Sequence, residues 1–348
     1  MRRILRARGR RTAVGLTLLC ALTATHSPAL AAPKPGPTTL DEVRTQLDSL
    51  YHQAEVATEK YNAADEMARA QQKRVVALNG QMQQASQREA QLKQSIGAAV
   101  RAQYRSGGLS AEIQFALALD PERALDNAGL VKQAQQATLG QLAAMKATEK
   151  ELRTRTTEST SELKNLWSSR RAMAKSRKTI EEHIARARTL ETQLQMKDQQ
   201  RLAALQKQRA DKSQAKWVGT GILDQVGTKA SAAGTEAIAY AAKQLGKPYV
   251  WGAAGPDSFD CSGLTSQAWL HAGIVLPRTS EEQWAQLPHV PVSKMRPGDL
   301  IVYFSDASHV ALYIGDGQII SAPHPGGFVY VSAAGSMQIL GAVRPDAD

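Results

Sequence analysis

Beyond its N-terminal leader, this chain of 348 residues holds one cysteine, Cys261, in the run Phe259-Asp260-Cys261-Ser262-Gly263-Leu264. An exported protein with a single thiol has no internal disulfide to make, so the sulfur is either inert and buried or kept reduced because it reacts. Its neighbours favour reaction. With Asp260 as a helix cap, Cys261 falls in the first turn, where unpaired backbone N–H groups and the positive end of the helix dipole stabilise a thiolate. Those N–H groups can also receive an oxyanion. The helix reads on through Leu264, Ala268 and Ala272 to a stop at Gly273, and Gly263 lets another backbone come close.

A thiol that attacks an amide needs a base. His271 shares the cysteine helix but lies ten residues on, about 15 Å along the axis, and is out of reach. His289, between Pro288 and Val290, reads as a loop residue. His309 opens the apolar run His-Val-Ala-Leu-Tyr-Ile, which follows a second such run from Asp299 to Phe304. Strand ends are rigid places from which to present a reactive group. His309 is therefore the expected base.

The elements that must position these groups divide the chain. Residues 1–31 read as a signal peptide: Arg2, Arg3, Arg6, Arg8, Arg10 and Arg11 precede an apolar stretch over 13–24, and Ala29-Leu30-Ala31 is a small-x-small cleavage site. The stretch is too short for a bilayer, so no transmembrane segment is expected after cleavage, and Cys20 leaves with the signal. Residues 32–38 form a Pro-rich tether. From 39 to 216 strong helix formers dominate and proline occurs once, at Pro121. Leu40, Val43, Leu47, Leu50, Ala54, Ala57, Tyr61 and Ala64 alternate spacings of three and four, and the stripe continues through Val75, Leu78, Met82, Ala85, Leu92 and Ile96. This predicts one long helix, broken at Arg105-Ser106-Gly107-Gly108 and again at Asp120-Pro121. A second phase runs through Leu142, Met145, Leu152, Leu163, Leu166, Met173, Ile180, Ile184, Ala187, Leu194 and Leu205. The two helices either fold back as an antiparallel coiled-coil hairpin or pair with another chain. No catalytic cluster is visible in the coil. Residues 217–234 read as a flexible connector. Residues 235–348 form a second domain, opening with a helix over 235–245 capped by Thr235 and ended by Gly246.

Five segments of that domain, Pro248-Tyr249, Asp260-Cys261-Ser262-Gly263-Leu264, Leu276-Pro277-Arg278-Thr279-Ser280 with Gln283, Arg296-Pro297-Gly298-Asp299-Leu300 and Ser308-His309-Val310-Ala311-Leu312-Tyr313-Ile314-Gly315, resemble in order the signature segments of the NlpC-type cell-wall endopeptidases (the NlpC and p-sixty family). The resemblance covers about 235–345. It implies a papain-like α+β cysteine peptidase fold, with the cysteine helix packed on an antiparallel sheet that carries the histidine. It also implies cleavage of peptidoglycan stem peptides between D-γ-glutamate and a diamino acid. By position it makes Cys261 the nucleophile, His309 the base, and Tyr249, Asp260 and Ser262 the oxyanion or substrate-binding neighbours. The third catalytic residue, twelve after the histidine, falls on Ser321, where an acid, Asn, Gln or His is more usual.

Strand parity bears on that third position. A three-residue Gly315-Asp316-Gly317 loop puts Ser321 on the face of His309, whereas a two-residue Asp316-Gly317 turn brings His324 opposite. Pro323 and Pro325 flank His324 and disfavour continued pairing, which favours Ser321. Ser280-Glu281-Glu282-Gln283 reads as a capping box that starts a short helix, and Trp251 and Trp269 as packing residues.

Charge constrains partners. The formal net charge is +11; the six leader arginines account for +6, and the ten acids and six Lys and Arg from Ala233 onward give −4, so the middle carries +9. A diffusely basic coil on an exported protein suits an anionic wall polymer or a division-machinery partner, and a +9 coil beside a −4 domain raises the expectation that the coil inhibits the domain. Nucleic acid is not an expected partner, and no metal spacing or cofactor motif occurs. The leading reading is a secreted peptidoglycan hydrolase at the cell wall. The alternatives are a non-catalytic or regulatory adaptor acting through the coil, and an amidase or acyltransferase on the same scaffold.

Overall fold

The computed structural model describes residues 39–105, 113 and 121–347; the expected signal peptide with Cys20, the expected tether and the expected breaks after Arg105 lie outside them. Helix α1, Leu40–Arg105, runs unbroken for 66 residues, and α2, Pro121–Gln193, starts at the proline, whose missing N–H costs nothing in a first turn. The two are antiparallel: Tyr51 donates to Glu191 at 2.6 Å, Ser169 to Gln71 at 3.0 Å and Arg88 to Glu151 at 3.0 Å. This is the hairpin option, made within one chain. Val43, Leu47, Leu50, Ala54, Ala57, Ala64, Val75 and Ala85 of α1 are buried, as are Leu166, Ile180 and Ala187 of α2. Leu142 and Leu163 are exposed, so the second stripe is more broken than its spacing suggests.

The second phase does not continue to Leu205. The helix stops at Gln193, Gln195 adopts extended backbone, and α3 restarts over Met196–Val218. At the break Gln199 donates to the carbonyls of Leu194 and of Glu191, the latter also accepting from Leu194 N. The turn lets Leu202 join Val43, Leu47, Leu50 and Ala187 in one cluster. The expected connector is partly regular: Trp217 and Val218 belong to α3, Ile222–Asp224 form a 3₁₀ turn, and Gly227 donates to the Met295 carbonyl. Gln214 of α3 donates to Gly317 O and accepts from Gly335 N, holding the end of α3 on the second domain.

That domain places α4, Ala232–Ala242, and α5, Cys261–His271, against a six-stranded antiparallel sheet. The strands are β1 His289–Val290, β2 Leu300–Tyr303, β3 His309–Gly315, β4 Gln318–Ser321, β5 Tyr330–Ala333 and β6 Ile339–Val343, in the order β1-β6-β2-β3-β4-β5. This is the papain-like α+β arrangement. Leu300, Val302, Val310, Leu312 and Ile320 pack with Leu264, Ala268 and Trp269 of α5. Their alternates Ile301, Tyr303, Ala311, Tyr313 and Ile319 pack on the other face, with Trp217 of α3 beside them. Both faces of the sheet are therefore covered.

Two helix starts differ from expectation by local chemistry. Helix α4 begins earlier, because Ser231 rather than Thr235 caps it by accepting from Gly234 N at 2.8 Å. It also ends earlier, which leaves Leu245 exposed. Helix α6, Ser280–Gln286, is capped by Thr279, which accepts from Glu282 N; the capping pair lies one residue before the expected one. His289 sits in the short strand β1 rather than a loop, its ring against Trp284.

Helix α5 can lie this close to its neighbour because position 263 has no side chain. A Cβ there would collide with the Ala253 carbonyl oxygen and press on the Asp260 carboxylate. Gly263→Ala is expected to lower the stability of the full chain by about 1–3 kcal/mol, read as a lower midpoint in thermal unfolding. An unchanged midpoint would mean that the Ala253 backbone yields freely.

Candidate active site

Cys261 is the first residue of α5, and Asp260 is its cap, accepting from Gly263 N at 2.7 Å. The Asp260 carboxylate is fully engaged. It also accepts from Gly252 N at 3.0 Å, from Asn62 at 3.1 Å, and from both terminal nitrogens of Arg278 at 3.0 and 2.7 Å. It serves as helix cap and as the acidic member of a buried ion pair with Arg278. Arg278, also bonded to the Ser262 hydroxyl, fixes the first turn of α5 to the loop before α6.

The Val310 backbone N–H, near the start of β3, favours the thiolate of Cys261. The preceding residue is His309. Its Nε2 lies 3.2 Å from the Ser321 hydroxyl on β4. Its Nδ1 lies 3.5 Å from a carboxylate oxygen of Glu55, which belongs to the coil. Tyr249 is buried, and its hydroxyl has no hydrogen-bond partner. Burial first, then the neighbouring Cys261 and carboxylates, push that phenol up. Ser262 donates to Glu59, again a residue of the coil, at 2.9 Å.

The approach of Ser321 has a register origin. The hairpin turn is the two-residue one, with Asp316 at φ 51° and Gly317 at φ 70°, the positive pair a tight hairpin demands. A bulge between Tyr313 and Gly315 then shifts the pairing by one, so that Leu312 faces Ile320 and Tyr313 faces Ile319. The shift puts Ser321 on the parity of His309 and Ala311. His324 instead bonds Pro325 O and stacks on Tyr51, 4.3 Å away. His271 stacks on Tyr240 at the far end of α5.

Sequence reasoning missed the coil's part in the site. Glu55, Glu59 and Asn62 stand at i, i+4 and i+7 on α1, a polar stripe beside the apolar one, and all three are buried. Glu59 receives the Cys261 S–H at 3.5 Å and the Ser280 N–H at 3.0 Å. Tyr61, expected in the coil seam, meets Trp251 edge-on at 5.1 Å. The groups that meet the site are therefore carboxylates, whereas net charge pointed to basic ones. Sequence spacing alone could reveal the stripe but not the surface it faces.

Electrostatics here oppose a free thiolate. Burial first, then Glu59, Asp260 and Glu55, push the Cys261 thiol well up, and the Val310 N–H offsets only part of this. Glu59 is itself pushed up, by burial and then by Asp260 and Glu281. The helix start that was expected to lower the cysteine is outweighed by a dry, acidic surrounding. Among the described residues, no group of three His, Cys, Asp or Glu side chains is arranged to hold a metal ion, and no helix is long and apolar enough to cross a membrane.

The C-terminal region resembles known proteins. Residues 246–338 match the model of the NlpC/P60 family. A probable endopeptidase p60 of Listeria seeligeri is 50% identical over 91 residues, which are 26% of this chain and 17% of that protein. A probable endopeptidase of Corynebacterium glutamicum is 44% identical over 93 residues, 27% of this chain and 44% of that one. The crystal structure of the NlpC/p60 domain of the peptidoglycan hydrolase SagA is 36% identical and covers 32% of this chain and 97% of that one, with a TM-score of 0.30. The chain thus spans less than half the length of these two curated relatives.

One group beside the site carries a pH prediction. Burial, with Asp306 and Glu282 adding, raises Glu281 to about 7. Its contribution to stability is whole at pH below the ordinary carboxylate range and is lost as pH rises through about 7, because the unfolded chain ionises this group first. Glu281→Gln is expected to flatten part of the fall in melting temperature between about pH 5 and about pH 8. A pH profile identical to the parent's would contradict this.

Proposed function

We propose, from the premise that this chain belongs through residues 246–338 to the NlpC/P60 family, that it is an exported cysteine endopeptidase of peptidoglycan. Its bond is the one between D-γ-glutamate and a diamino acid in the stem peptide. The reading is supported by the placement of one cysteine and one histidine at the first positions of two elements that pack together, α5 and β3. Cys261 opens α5 and His309 opens β3, whose Val310 N–H favours the Cys261 thiolate. The relatives named as endopeptidases support the substrate class.

In this reading His309 takes the proton of Cys261, and the thiolate attacks the carbonyl carbon of the acyl half. The tetrahedral oxyanion is received by N–H groups of the first turn of α5 and by the unpartnered Tyr249 hydroxyl. The C–N bond then breaks, the imidazolium gives its proton to the leaving amine, and the acyl group stays on sulfur as a thioester. Water, deprotonated by His309, attacks the thioester and restores the thiol. Ser321, 3.2 Å from the outer nitrogen, orients the ring but holds no charge to stabilise the imidazolium.

The regulatory-adaptor reading draws on Ser321 and on the burial of Cys261, which is 2% exposed. Fragment release from purified wall separates the two. Cys261→Ala is expected to abolish release, and His309→Ala to slow it by about 10²–10⁴-fold. Release by the Cys261 variant at the parent's rate would remove the proposed nucleophile. Mass spectrometry of the fragments would distinguish a new γ-D-glutamyl end from an amidase product.

A further inference from the structure

We infer that the cavity where α1 and α3 meet the residues after β2 and β4 is a second, non-catalytic binding site, shaped for a small diamino-acid zwitterion. The site stands on geometry; only the source of its ligand rests on the endopeptidase reading above.

The cavity holds about 360 Å³, near the lower end of the range that small-molecule sites occupy. Arg44, Asp48, Tyr51 and Glu55 line it from α1, at spacings of four, three and four that place them on one helix face. Arg209 lines it from α3, and Phe304 and His324 from the second domain. Two aromatic pairs form its walls: Tyr51 stacks on His324 at 4.3 Å, and His52 meets Phe304 edge-on at 4.6 Å. The His52 ring nitrogens are engaged by Asp306 at 3.2 Å and Ser308 at 3.4 Å.

Charged groups of both signs around this cavity are left without hydrogen bonds. Arg44 is 2% exposed, and its Nε is buried without an acceptor. A terminal nitrogen of the same guanidinium is held by Asp41 at 2.9 Å, but Asp48 stands 3.8 Å from Nε, too far for a hydrogen bond. A buried N–H of this kind calls for an acceptor. Among the described residues, exposed Arg209 makes no hydrogen bond or ion pair, and Asp48 accepts no hydrogen bond. Burial raises the Asp48 carboxyl even though Arg44, Arg209 and His324 pull it down, so the cations beside it do not replace its lost hydration.

The charges decide the ligand class. Two guanidiniums and two carboxylates, Asp48 and Glu55, line one small space. A bare anion would be attracted by the first pair and repelled by the second. A diamino acid matches both: its carboxylate takes charge-assisted hydrogen bonds from Arg44 and Arg209, its two ammonium groups bind Asp48 and Glu55, and its stem lies against the aromatic walls. Glu55 also stands 3.5 Å from His309 Nδ1, which makes no hydrogen bond, so the occupied site adjoins the catalytic ring. Cleavage before a diamino acid supplies such a molecule, because it frees the amine of that residue.

The test is calorimetric titration of the full mature chain with L-lysine, alongside cadaverine, which keeps both amines but has no carboxylate, and inorganic phosphate. Lysine is expected to bind with a Kd of about 1 mM or below, and the other two at least about 10-fold more weakly. Arg209→Ala, at an exposed position, is expected to weaken lysine binding by about 10- to 100-fold. Asp48→Asn, which keeps the shape of the side chain, should weaken it as well. No lysine binding, unchanged affinity in both variants, or equal binding of cadaverine or phosphate overturns the site. Fragment release from purified wall is read separately. Lysine binding without release keeps the site and removes the endopeptidase reading; release without lysine binding does the reverse.

Discussion

The carboxylate of Asp260 is the point on which the site depends. It closes the N-terminal turn of α5, draws the Gly252 loop in through its N–H, and takes both arms of Arg278 in a buried ion pair. A buried pair of this kind is weak as a source of net stability but costly to break on one side, because the remaining charge is left without a partner. Here it fixes geometry: where the first turn begins, where Cys261 points, and where Arg278 holds the loop leading to α6. Asn62 of the coil joins the same carboxylate. The coil is therefore tied to the cap of the cysteine helix.

The surroundings of Cys261 run against the usual means of activating a thiol. A helix start and a backbone donor favour the anion, but burial and three carboxylates oppose it and prevail. The conflict is resolved if two arrangements of the chain are involved, one in which the acids from α1 stand at the site and one in which they do not.

What the sequence made legible was local. The cap at Asp260, the stop at Gly273, the helix start at Pro121 and the strand opening at His309 each follow from a few adjacent residues. Errors arose where two local signals compete. Ser231 and Thr235 are both good caps, as are Thr279 and Ser280, and packing chose between them. The β3–β4 hairpin has the turn that predicted His324 and the outcome that predicted Ser321, because a bulge absorbed the extra residue; no motif announces it. The largest omission, Glu55 and Glu59 at the site, joins residues about two hundred positions apart. A polar stripe on a long helix reads as a solvated face unless the opposing surface is known.

The unbroken run of α1 gives its inner segment mechanical leverage. At 1.5 Å per residue, the stretch from Glu59 to Arg105 is a rod of about 69 Å, stiffened along its length by α2. A tilt of a few degrees at one end of such a rod moves the other by several ångströms, more than a hydrogen bond tolerates. Force applied to the distal end of the hairpin is thereby delivered to two carboxylates beside a sulfur.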